Sequence, residues 1–188
     1  MITENPFKKQ SSKIVYENPW IRIHEDAIVR PDGSKGIYGY LESKDSVQIV
    51  AVNENREIYL IKAFRYPTKT WGWELPGGGG EGEDVVVASQ RELAEETGLV
   101  ADKWTTLGTP LVCNGLMTER QAVLLAEGLT SGERIDSDDK YLVTDGKFAS
   151  FDEIDRMIDA GEIDDGMTMT ALFLASRHLA KRKHIDII

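Results

Sequence analysis

Between positions 83 and 96 the chain gathers Glu83, Arg91, Glu92, Glu95 and Glu96, directly after the glycine run 77–80. An arginine and three carboxylates within six helical residues, next to a glycine-rich turn, suit a site for a divalent metal and a diphosphate. At about 100° per residue, Glu92 and Glu96 lie within about 40° of each other on a helix, with Glu95 about 60° to their other side. Like charges four residues apart cost a helix roughly 0.2–0.5 kcal/mol, and a third carboxylate adds to the repulsion unless a cation neutralises it. Mg²⁺ fits best, because it is held by one or two carboxylates while waters and phosphate oxygens fill its other positions; Mn²⁺ is a further candidate. A solvated glutamate-rich face is the bland alternative. The glycine turn, the flanking Arg91 and the small residues Val85, Ala88 and Ser89 on the acid side favour the site.

The helix that must present these groups is expected from Val85 to Thr97. Asp84 can cap its start and Gly98 can take the left-handed conformation at its end. Leu93, Val86, Ala94 and Val87 are expected to form the buried stripe, with the acid side facing away from the core. Arg91 stands four residues before Glu95 and can reach back to Glu83. Its first task is therefore to orient carboxylates, which suits a guanidinium fork better than an ammonium group.

Around this helix the periodicity places mostly strands. Positions 13–16, 20–24 and 27–29 alternate like exposed strands, and the turn Pro31-Asp32-Gly33-Ser34 leads into Gly36–Tyr40. A small antiparallel module over residues 1–42 is expected ahead of a catalytic domain over 43–188. Val47–Val52 and Ile58–Ala63 read as a hairpin, and Trp71–Leu75 feeds the glycine turn. Strands are expected over 103–111 and 121–126, an acidic loop over 131–139, and helices over 151–160 and 167–181. Few helices among largely antiparallel strands indicate an α+β fold.

A length of 188 residues with 41% hydrophobic content supports one good core and a small extra module. The net charge of −10 argues against a nucleic-acid binder, whose affinity comes from Lys and Arg on phosphates. No apolar run approaches a membrane span and the polar start lacks a signal-peptide core, so a soluble cytoplasmic protein is expected. The single Cys113 excludes an internal disulfide and a Cys₄ zinc site, and is read as a structural thiol. His24, His178 and His184 have no ligand spacing and are read as structural or surface residues.

The spacing Gly77, five residues, Glu83, seven residues, Arg91-Glu92-Leu93, one residue, Glu95-Glu96, one residue, Gly98-Leu99 resembles the Nudix box at all nine constrained positions. The resemblance implies a mixed sheet sandwiched between helices. It also implies metal binding by Glu92, Glu96 and the Gly77 carbonyl, with Arg91 bridging glutamates. "RPDG" at 30–33, "FRYP" at 64–67, "WELPGG" at 73–78 and "GEIDDGMTMTAL" at 161–172 are similar to ADP-ribose pyrophosphatases and related nucleotide-sugar hydrolases.

That likeness implies a domain-exchanged homodimer built by the amino-terminal module, whose aromatic residues stack on the base. Trp20 is the best match for this role and Tyr38 a weaker one; the alternative for Trp20 is packing beneath its own sheet. Arg65 matches a phosphate-contacting arginine, against the alternative of a surface arginine at a strand end, and Glu74 matches a carboxylate near metal and substrate. One departure stands out. Members acting on ADP-ribose commonly carry a proline about fifteen residues past the box, within a "PGG…E"-like loop, where this chain has Asn114-Gly115-Leu116-Met117-Thr118-Glu119. Glu119 is carried as a substrate-binding position. Glu133, Asp138 and Asp139 are the candidates for activating water.

The expected activity is metal-dependent hydrolysis of a nucleoside diphosphate linked to another group, with ADP-ribose or a related nucleotide sugar first. GDP-mannose, dinucleoside polyphosphates and nucleoside triphosphates are the alternatives within enzymes. A non-catalytic nucleotide-sugar-binding module is the alternative from another class.

Overall fold

The computed structural model describes residues 4–80, 82–132 and 141–185. They fall into two compact units, Met1–Asp45 with Leu111–Arg120, and Ser46–Pro110 with Gln121–Ile188.

In the first unit β1 (Lys8–Glu17), β2 (Ile21–Val29) and β3 (Lys35–Ser43) form an antiparallel sheet in chain order. The turn between β2 and β3 forms as its residues dictate. Asp32 Oδ1 accepts from the Ser34 N–H at 2.9 Å, and Gly33 takes φ 83°. The segment 111–120 docks on β3 through main-chain bonds from Leu41 N–H to Leu116 O (2.9 Å) and from Thr118 N–H to Leu41 O (3.0 Å). Glu119 lies in this segment and accepts from the Ser43 hydroxyl at 3.3 Å. Cys113, read from sequence as a structural thiol, is exposed here. Leu111 and Arg120 on either side of it pair only as an isolated bridge, and the Cys113 carbonyl accepts from the Leu116 and Met117 N–H groups in a turn rather than in a strand.

The second unit runs β4 (Ser46–Ala51), β5 (Ile58–Arg65), β6 (Thr70–Glu74), β7 (Gly77–Gly79), α1 (Val85–Thr97), β8 (Leu99–Gly108), β9 (Gln121–Ser131), β10 (Val143–Ala149), α2 (Phe151–Asp159) and α3 (Gly166–Ile185). One sheet has the order β7-β4-β9-β8, and the other β10-β5-β6. β4 and β9 pair in parallel and are buried on both faces. Ile49, Ala51 and Ala126 pack with Leu93 of α1, while Val50, Val52, Val123 and Leu125 pack with Ala171, Leu172, Ala175 and Leu179 of α3. The period-two alternation of β4 and β9 thus sends successive side chains to opposite helices. Helices on both faces of a mixed sheet give the α+β architecture read from the sequence.

Three expectations about elements are corrected. β4 and β5 are not a hairpin. They share one bridge, Val52 to Ile58, and then part into different sheets, because each is buried between other neighbours. The glycine segment is not a simple turn, since Gly77–Gly79 run extended beside β4 with Gly77 opposite Gln48. A Cβ on Gly77 would strike the Val47 carbonyl, so the absence of a side chain is what allows this pairing. The third concerns the face that α1 buries.

Candidate active site

α1 is capped as its sequence dictates. Asp84 Oδ1 accepts from the Val86 and Val87 N–H groups, and Gly98 ends the helix at φ 70°. Its buried residues are Ala88, Ser89, Glu92 and Leu93, whereas Val85 and Val87 are exposed and Val86 and Ala94 only half-buried. Of the expected stripe Leu93 is buried and Val86 packs partly buried against Val47, Ala88, Ala122 and Leu124, but Ala94 is only half-buried and Val87 is exposed, and the acid side faces inward. Small residues at 88 and 89 let the helix approach β4 and β7 on that side, which carries the carboxylates of Glu92 and Glu96 into the protein.

Arg91 is the hub of the arrangement. Its Nε donates to Glu83 Oε2 (3.2 Å), its Nη1 to Glu92 Oε1 (2.9 Å) and Glu95 Oε2 (3.5 Å), and its Nη2 to the Gly79 carbonyl (2.9 Å). Partial burial opposes its charge, but the Glu92, Glu83 and Glu95 carboxylates more than offset this and raise its pKa further. The guanidinium so fixes three glutamates and the glycine strand at once, a task that needs the fork of donors. Gly78 lies against the same group. A Cβ there would fall 2.6 Å from the Glu92 carboxylate.

Glu96 is held from the other side, where its Oε2 accepts from the Gly77 N–H at 2.8 Å. Burial pushes its carboxyl up to about 8, and the nearby Glu92 and Glu74 add to the shift, while the Gly77 N–H and Arg65 partly oppose it. The residue as a whole keeps some exposure, so it is the carboxyl end that is enclosed. Arg65 grips the buried Glu74, its Nε within 3.0 Å and its Nη2 within 2.5 Å of Glu74 Oε2. This bond is the main reason its pKa rises, with Glu96 and Asp165 contributing at longer range. Arg65 also lines a cavity of about 250 Å³ with Thr68, Thr70, Gly72, Glu74 and Asp164–Gly166. Arg65, Glu74, Glu96, Glu92 and Arg91 thus form one electrostatic group on β5, β6 and α1.

Among the described residues no three His, Cys, Asp or Glu side chains converge as a ready-made metal cage. The donor set nonetheless fits a hard cation that keeps several waters. The donors are carboxylate and main-chain oxygens, and the burial that raises the Glu96 carboxyl, with Glu92 and Glu74 nearby, is what a bound positive charge would relieve. A carboxyl raised from 4.5 to about 8 contributes stability that is fully present below 4.5 and lost as pH rises towards 8. Metal-free protein is expected to lose melting temperature across this window, and millimolar Mg²⁺ to restore it at the alkaline end. Scanning calorimetry from acid to alkaline pH, with chelator or Mg²⁺, checks both parts.

Other sequence candidates lie in the first unit. Trp20 is 77% exposed, which rules out packing beneath its own sheet. Asn18 Oδ1 accepts from the N–H groups of Trp20 and Ile21, both at 2.9 Å, and so holds the turn that presents the indole. Trp20 borders a cavity of about 170 Å³ shared with Asn18, Arg22, Glu42, Ser43 and Lys44. Tyr38 is engaged locally, its hydroxyl donating to the Gly115 carbonyl at 3.0 Å. His24 pairs with Glu42 at 2.7 Å and stacks on Tyr40. Glu133, Asp138 and Asp139 lie outside the described residues. Among the described residues no helix is long and apolar enough to cross a membrane.

A carboxylate-lined helix strapped by arginine to a glycine strand, on a sheet clasped by helices, defines the class of protein. The family model of the NUDIX domain matches residues 42–169, and that of the nucleoside diphosphate sugar hydrolase N-terminal domain matches residues 7–41. The chain belongs to the Nudix hydrolase family. An ADP-ribose pyrophosphatase of Mycobacterium tuberculosis is 30% identical over 130 residues, 68% of this chain and 63% of that protein. The match thus spans a little under two thirds of the mycobacterial protein. An ADP-ribose pyrophosphatase of Bacillus subtilis is 26% identical over 162 residues, 84% of this chain and 86% of its own. The crystal structure of an ADP compounds hydrolase superposes with a TM-score of 0.84 over 97% of this chain and 98% of that one; at 18% identity this is a likeness of fold.

Proposed function

We propose that the protein hydrolyses the diphosphate of a nucleoside diphosphate linked to a second group, with ADP-ribose as the first substrate. The observation that carries this reading is the pair Glu92 and Glu96, turned inward and fixed by Arg91 and the Gly77 N–H. Support for the nucleotide-sugar class comes from the amino-terminal family match and from the names of the two pyrophosphatase relatives.

Glu92, Glu96 and the main chain of Gly77 would hold Mg²⁺, or Mn²⁺, which when bound neutralises phosphate charge and lowers the pKa of the attacking water. The protein's own groups supply the rest. Arg91 keeps Glu92 and Glu95 from drifting apart under mutual repulsion, and Glu83 anchors the far side of the guanidinium. Glu95, held 3.5 Å from Arg91 Nη1, is assigned to accept a proton from water. Arg65, already oriented by Glu74, offers its remaining N–H groups to a phosphate oxygen. Water attack on one phosphorus then breaks the bridging P–O bond and gives AMP and ribose 5-phosphate.

Trp20 is assigned to stack on the base. Replacing it by alanine is expected to raise KM for a purine substrate about tenfold, in line with the usual worth of one base–aromatic stack, with melting temperature unchanged. Steady-state kinetics beside a thermal scan check this, and a fall in stability alone would contradict it. The open edge of β1, with Ile14, Val15 and Tyr16 about half exposed, is assigned to a second copy of the chain in a homodimer. Sedimentation equilibrium measures that directly.

The substrate assignment is tested by kcat/KM with Mg²⁺ over ADP-ribose, GDP-mannose, UDP-glucose, diadenosine polyphosphates and deoxynucleoside triphosphates. ADP-ribose well above the others supports the assignment. A different leader keeps the carboxylate site and moves the substrate, and tight binding without any product favours a binding module.

A further inference from the structure

Thr168, in the first turn of α3, is fully buried. Packing does not explain its hydroxyl, since α3 meets the sheet through Ala171, Leu172, Ala175 and Leu179, and valine would fill the same volume. Its neighbours are polar instead. The hydroxyl oxygen lies 3.0 Å from Gln48 Nε2 and 3.2 Å from the Leu75 N–H, while the Thr168 N–H donates to Asp165 Oδ2 at 2.6 Å. Asp165 thus fixes the helix start, and the start fixes the hydroxyl.

Both partners of that hydroxyl flank the peptide that holds Glu96. Leu75 precedes Gly77 by two residues, and Gln48 stands opposite Gly77 in the β4–β7 register. The Gly77 N–H makes the 2.8 Å bond to Glu96. We infer that Thr168 is a positioning residue, whose hydroxyl sets the depth of the Leu75–Gly77 segment and thereby places the Glu96 carboxylate for a divalent cation. The inference rests on the reading of Glu92 and Glu96 as cation-binding. Gln48 Oε1 is buried without a hydrogen-bond partner, so this amide has no second bond with which to absorb the loss of Thr168. Relief comes by movement of the backbone around Gly77, where contact with the Val47 carbonyl leaves little slack.

The test compares wild type, Thr168→Val and Thr168→Ser as metal-free protein titrated with Mg²⁺ in a calorimeter, beside thermal scans and kcat. The valine variant is expected to bind Mg²⁺ about 10–100-fold more weakly, and the serine variant to return within about threefold of wild type. Wild-type Mg²⁺ affinity in Thr168→Val, whatever its melting temperature, overturns the inference by reducing the hydroxyl to a fold-stabilising group. Equal losses in the serine and valine variants overturn it too. If Thr168→Val does not fold, Gln48→Met supplies the same reading: weakened Mg²⁺ binding supports the inference and unchanged binding overturns it. Wild-type protein that takes up no Mg²⁺ overturns the carboxylate reading itself, so the two failures are told apart.

Discussion

Glu96→Gln is expected to lower kcat at saturating Mg²⁺ by about a thousandfold, equivalent to about 4 kcal/mol of transition-state stabilisation. The amide matches the carboxylate in shape and can still accept from the Gly77 N–H, so the local packing survives. What disappears is the negative charge that the other acids destabilise. Burial, Glu92 and Glu74 all oppose ionisation of Glu96, and a neutral amide removes that opposition. The same variant is therefore expected to melt no lower than wild type at pH 8 in chelator, and to lose the stabilisation that Mg²⁺ gives. Loss of turnover with gain or retention of metal-free stability is the signature of a group kept for function at some cost to the fold. Near-normal kcat in this variant would contradict the metal assignment.

The second large effect separates two adjacent glycines. A Cβ on Gly78 meets the end of a flexible side chain, the Glu92 carboxylate, while one on Gly77 meets the Val47 carbonyl and the Gln48 Cα. Gly78→Ala is expected to fold with little loss, since Glu92 can swing aside, but to cut kcat/KM about a hundredfold because the bond from Arg91 to Glu92 goes with it. Gly77→Ala must instead move β7 off β4, and is expected to cost about 1–3 kcal/mol of stability as well as activity. Denaturant titrations and kinetics on the two variants check the contrast. A Gly78→Ala enzyme of full activity would show that the position of Glu92 is immaterial.

Local features were legible in the sequence and distant pairings were not. The limits of α1, the Asp84 cap, the left-handed Gly98 and the reach of Arg91 to Glu83 depend on residues within a few positions of one another, and all are found in the structure. The buried face of α1 was misjudged because hydrophobic patterning sends carboxylates outward, whereas this helix turns Glu92 and Glu96 in and leaves Val87 in solvent. Such a conflict between pattern and fold is expected where function dictates the residue. The parallel pairing of β4 with β9, which draws β4 away from β5, has no local signal, since either neighbour satisfies a strand buried on both faces. Thr168 and Gln48 were equally silent, being 120 positions apart in the chain. The role of Gly79 as an acceptor for Arg91 was hidden because it is a main-chain carbonyl. Strand β10 was missed between the acidic stretch and α2, where Asp145-Gly146 interrupts the apolar alternation; a Cβ on Gly146 would fall against the outer end of the Tyr59 side chain.

The most direct test of the account is product analysis by chromatography after incubating the protein with ADP-ribose, once with Mg²⁺ and once with chelator. Equal amounts of AMP and ribose 5-phosphate are expected with Mg²⁺, and intact ADP-ribose with chelator. Intact ADP-ribose in both, or the same products in both, would contradict it.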